Sequence, residues 1–62
     1  MKTWWYEVVG EESDLCGEEF FVEARSPKEA DEIARDNFPG EELHCFGRVS
    51  DYEAECMGLD TY

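Results

Sequence analysis

Residues 18–40 read EEFFVEARSPKEADEIARDNFPG, and within them the apolar period changes from two to nearly four. Phe20, Val22 and Ala24 alternate with Glu19, Phe21, Glu23 and Arg25, the pattern of a strand with one apolar face. Ser26 then offers an N-cap hydroxyl, Pro27 suits the first helical position, and Glu29 completes a capping box. Ala30, Ile33, Ala34 and Phe38 recur at helical spacing and form one stripe, and Pro39-Gly40 end the helix. A strand that passes directly into an amphipathic helix predicts a sheet with a helix packed on it.

Upstream, TWWYEVV (3–9) alternates Trp4, Tyr6 and Val8 with Trp5, Glu7 and Val9, and its aromatic and β-branched content marks a strand. The two strands are joined by GEESDLCGEE (10–19), whose Gly10, Ser13, Asp14 and Gly17 break the alternation and whose five carboxylates have no base beside them. An antiparallel hairpin with a long acidic tip follows. Downstream, ELHCFGRVSDYEAECMG (42–58) reads as a second hairpin turning at Ser50-Asp51. Val49 would then pair with Tyr52, Gly47 with Ala54 and Cys45 with Cys56 on one apolar face, and the other face would set Arg48 opposite Glu53 and Phe46 opposite Glu55. The expected fold is α+β: an antiparallel three- to four-stranded sheet in ββαββ order with one helix packed on one face. It forms one domain, 1–62, in which 59–62 is a loose tail.

The chain carries 17 acids against 5 bases, a net charge of −12. That sign excludes direct phosphate contacts with nucleic acid, which require Lys and Arg, and disfavours anionic membranes. No run approaches the ~20 apolar residues of a spanning helix. The chain therefore reads as a soluble, cytoplasmic protein, and its three cysteines as reduced thiols rather than a secreted disulfide framework. A Cys45–Cys56 bridge is conceivable in the hairpin register above.

No enzyme is expected. Cys16, His44, Cys45 and Cys56 lack the paired spacing of a zinc site, and His44 and Cys45, adjacent in a strand, point to opposite faces. Carboxylate pairs are too common in this chain to signal acid–base chemistry, and no phosphate-binding glycine loop or nucleophile elbow is present. Neither a cofactor nor a metal is expected.

The charge itself is the functional signal. Folding would hold the acids a few ångströms apart, comparable to duplex DNA with one charge per about 1.7 Å of axis. Aromatics interleave with acids on the outer face: Trp5, Phe21 and Phe46 beside Glu7, Glu23 and Glu55. Exposed aromatics rimmed by charge suit a binding patch. The expected contact residues for a basic nucleic-acid-binding protein are Glu11, Glu12, Asp14, Glu18 and Glu19 in the loop, Asp31, Glu32 and Asp36 on the helix, and Trp5 and Phe21 as aromatic anchors. The alternative is a small adaptor module, dimerising through the sheet face, in which acidity serves only solubility.

The segment FFVEARSPKEADEIARDNF (20–38) resembles the strand-to-helix joint VEA-S-x-x-EA-x-x-IA of small ββαβ phage and plasmid proteins. In size and acidity the chain is also similar to anti-CRISPR and anti-restriction proteins that imitate DNA. That resemblance implies an inhibitor that occupies the basic groove of a CRISPR effector or restriction complex in the host cytoplasm. It carries over no individual functional residue.

Overall fold

The computed structural model describes all 62 residues. Lys2–Val8 (β1) and Glu19–Ala24 (β2) form the expected antiparallel hairpin, with Trp4 opposite Val22 and Tyr6 opposite Phe20. Pro27–Asn37 (α1) follows, with the Ser26 hydroxyl accepting from the Glu29 amide at 3.2 Å and Pro27 in the first turn. Leu43–Val49 (β3) then pairs antiparallel to the free side of β1, so the sheet order is β2-β1-β3.

The core lies between the sheet and α1. Trp4, Tyr6, Val8, Phe20, Val22 and Ala24 meet Ala30 and Ala34, and Ile33, Phe38, Leu43 and Cys45 pack at its margin. The two fully buried alanines let the helix backbone approach the strands closely. The indole N–H of Trp4 donates to the Ala24 carbonyl at 3.1 Å, so this large aromatic is buried without an orphaned donor. Phe20 stacks on Phe38 at a centroid separation of 4.2 Å and on Tyr6 at 5.6 Å.

The second hairpin does not form. Residues Asp51–Met57 are a helix, α2, and the sheet has three strands rather than four. Ser50 is not a turn residue but an N-cap: its hydroxyl accepts from the Glu53 amide at 3.1 Å. Gly58, at φ 64°, closes the helix in the left-handed conformation that glycine adopts without steric cost. Tyr52, Ala54 and Cys56 consequently never face Val49, Gly47 and Cys45, and all three cysteines are free.

β3 also carries a bulge. Trp5 lies opposite Gly47 and Tyr6 opposite Cys45, which leaves Phe46 without a partner. Gly47 accommodates the bulge at φ 107°. The extra residue reverses the alternation. Cys45 accompanies Tyr6 on the core face, whereas Gly47 and Val49 accompany Trp5 and Thr3 on the other, so these three do not share one face as period two predicts.

The C-terminal residues pair with β2 instead of hanging loose. Phe21 N–H donates to Asp60 O at 2.8 Å, Tyr62 N–H to Phe21 O at 2.8 Å and Glu23 N–H to Tyr62 O at 3.0 Å, with a parallel bridge between Phe21 and Thr61. The Tyr62 ring stands edge-on to Phe20 and Phe38. β2 and β3 are parallel to each other, as are β2 and this tail, so the chain makes two crossovers in opposite directions. Phe21 lies opposite Trp5 on the face away from α1 and is only 1% exposed, which corrects its reading as an exposed anchor.

Candidate functional site

The acidic tip is an ordered structure built by consecutive turns. The Ser13 amide donates to Gly10 O and the Cys16 amide to Ser13 O, both at 3.1 Å, while the Ser13 hydroxyl accepts from the Leu15 amide at 3.0 Å. The tip returns to the sheet through Gly17 N–H to Val8 O at 2.8 Å and Val8 N–H to Glu18 O at 2.9 Å. Gly17, at φ 92°, permits that reversal. Glu11, Glu12, Asp14 and Glu18 are all exposed on this frame.

A second acidic segment joins it. Val9 N–H donates to Glu42 O at 2.9 Å, which holds the loop before β3 against the tip. The two segments line a shallow cleft of about 420 Å³ that presents Glu11, Glu12, Glu41 and Glu42. Glu41 and Glu42 belong to the acidic surface but are distant in sequence from the tip, and no local spacing announces their approach to it.

The remaining expected contact residues separate into free and engaged groups. Glu32 and Asp36 are exposed on α1. Asp31 is half-buried and accepts from the Tyr6 hydroxyl at 2.6 Å, so it is committed to the fold. Glu19 is half-buried and accepts from the indole N–H of Trp5 at 3.0 Å. Trp5 itself is half-buried, with its ring 4.4 Å from that of Phe46, which is 47% exposed. His44 stands edge-on to Phe46 at 4.7 Å. Trp5, Phe46 and His44 thus form a continuous aromatic patch at the bulge, away from α1.

A second shallow cleft, of about 500 Å³, lies where α1 faces β3 and is lined by Tyr6, Asp31, Arg35, Glu41, His44 and Cys45 among others. Burial, the hydrogen bond to Asp31 and the neighbouring Cys45 thiol hold the Tyr6 phenol well above its usual titration range. An unfolded chain would release that proton at a pH of about 10. The stabilisation from the neutral phenol is therefore fully present below pH ~10 and is lost as the pH rises further. Tyr6→Phe is expected to remove this alkaline loss and to cost about 1 kcal/mol at neutral pH, read by urea unfolding from pH 7 to 11. An unchanged alkaline profile in the variant would assign the loss to other groups.

No group of three or more His, Cys, Asp or Glu side chains is placed to hold a metal ion, and no helix is long and apolar enough to cross a membrane. No family model, curated protein or solved structure matches the chain.

Proposed function

We propose that this protein is a non-enzymatic acidic binding module that occupies a basic groove of a nucleic-acid-binding protein and thereby blocks nucleic acid from it. The observation that carries this reading is the ordered acidic tip, in which Glu11, Glu12, Asp14 and Glu18 are held exposed beside Glu41 and Glu42. Like charges held at fixed positions repel one another and lower the stability of the compact state. A basic groove would relieve that repulsion on contact, and the same field would accelerate encounter.

Occupation of a groove on a CRISPR effector or restriction complex is the specific form of this reading to test first. The experiment measures DNA binding by such purified complexes with and without the protein, at low and at high salt. Competitive inhibition that fades from roughly 50 to roughly 300 mM salt is the expected result. Inhibition unaffected by salt, or no inhibition of any basic complex tried, would refute it. The dimer alternative has less apolar surface to use than the sequence suggests, because Phe21 is already covered on the sheet face in question.

A further inference from the structure

On the sheet face away from α1, Glu7 lies directly opposite Glu19 across the β1–β2 pair. Like charges at directly opposed positions of an antiparallel pair are destabilising. The chain's Lys and Arg side chains do not sit against this pair: Arg48 lies opposite Trp4 in the core-side row, Lys2 opposite Ala24, Arg25 just past the end of β2 far from Glu19, and Lys28 and Arg35 are on α1. The group that faces Glu7 from its other side is His44, across the β1–β3 pair, which is neutral in the net charge of −12. The next row on the same face is aromatic, with Trp5 against Phe46. The bulge frees Phe46 from strand pairing and turns it out, and the hydrogen bond to Glu19 fixes the Trp5 indole. Two carboxylates therefore border a pre-set aromatic shelf.

We infer that this shelf is a receptor for an arginine side chain of the basic partner. A guanidinium would stack on Trp5 and Phe46 and donate to Glu7 and to the oxygen of Glu19 that the indole does not use. Arginine fits better than lysine because its planar, weakly hydrated fork can stack and bond to two acceptors at once. Its charge would cancel the repulsion between Glu7 and Glu19, and the −12 net charge would draw it in. The inference rests on the basic-partner reading and adds to it the side chain that is recognised and where.

The test is a titration of the full-length, nitrogen-15-labelled protein with an oligo-arginine peptide and with an oligo-lysine peptide of equal length. The chain has two tryptophans and so two indole N–H signals, with buried Trp4 as internal control. The arginine peptide is expected to shift the Trp5 signal, leave that of Trp4 in place, and bind about tenfold more tightly than the lysine peptide. Phe46→Ala should abolish the preference for arginine, and Glu7→Gln should weaken arginine binding several-fold while leaving the fold intact. Equal binding of both peptides with Trp5 unmoved would overturn the receptor while the basic-partner reading stands. Failure of both peptides to bind would overturn both readings together. A Trp5 signal that moves with protein concentration alone would assign the shelf to a second copy of the chain and also overturn the inference.

Discussion

Phe20→Ala is expected to abolish cooperative folding or to lower Tm by more than about 12 °C, whereas Phe46→Ala should change it by only a few degrees. The same atoms are deleted in both, so the contrast isolates burial. Phe20 is 2% exposed and contacts Tyr6, Phe38 and Tyr62, and it therefore joins β1, the end of α1 and the C-terminal tail. Truncating a buried phenylalanine costs about 3–5 kcal/mol, including the cavity left behind. A domain of this size has about 3–9 kcal/mol of stability in total. Phe46 is 47% exposed, and its removal opens no cavity in the core. Urea and thermal unfolding of the two variants decide the matter. Equal losses would mean that the aromatic shelf, and not the α1 interface, carries the stability of the sheet.

The elements that meet in this core are the ones whose sequence is most legible. β1, β2 and α1 each show one clean period, and Ser26, Pro27 and Glu29 mark the start of α1 at the residue where the structure begins it. Reading fails after Val49, and the reason is physical. α2 buries no residue, so it has no apolar stripe, and the strand period of Leu43–Val49 runs on through it by coincidence. The signal that identifies α2 lies at its ends. Ser50-Asp51-Tyr52-Glu53 repeats the Ser-x-x-Glu spacing of Ser26–Glu29, and Gly58 stands where a left-handed cap belongs. Gly47 inside a strand pattern is likewise the mark of a bulge, and that bulge moves Gly47 and Val49 to the Trp5 face and Arg48 to the Trp4 face.

Phe21 was legible in a different way. Consecutive Phe20, Phe21 and Val22 break strict alternation, as expected for a strand covered on both faces. The C-terminal tail pairs with Phe21, and it has no sequence pattern strong enough to show that it returns to β2. Among the contact residues, exposure of the loop acids followed from their position in a Gly- and Ser-bounded segment. The engagement of Asp31 with Tyr6 and of Glu19 with Trp5 did not, because both are tertiary contacts between elements far apart in the chain.

Neutralising the tip should move stability and binding in opposite directions. The variant Glu11→Gln, Glu12→Gln, Asp14→Asn, Glu18→Gln takes the net charge from −12 to −8 by removing four carboxylates. All four side chains are exposed, and the turns are held by backbone amides and the Ser13 hydroxyl, so the loop keeps its shape. With less self-repulsion the free protein is expected to be slightly more stable, and most visibly so at low salt where screening is weakest. Its association with a basic groove should nevertheless slow by about ten- to a hundredfold, with a shallower dependence on salt. Stopped-flow association at two salt concentrations, paired with urea unfolding of the same sample, reads both effects. A loss of binding in a protein that has become more stable cannot be attributed to damage to the fold, which is the ambiguity that Phe20→Ala carries. If the rate and its salt dependence are unchanged, the tip is a solvated turn and the acidity does not guide recognition.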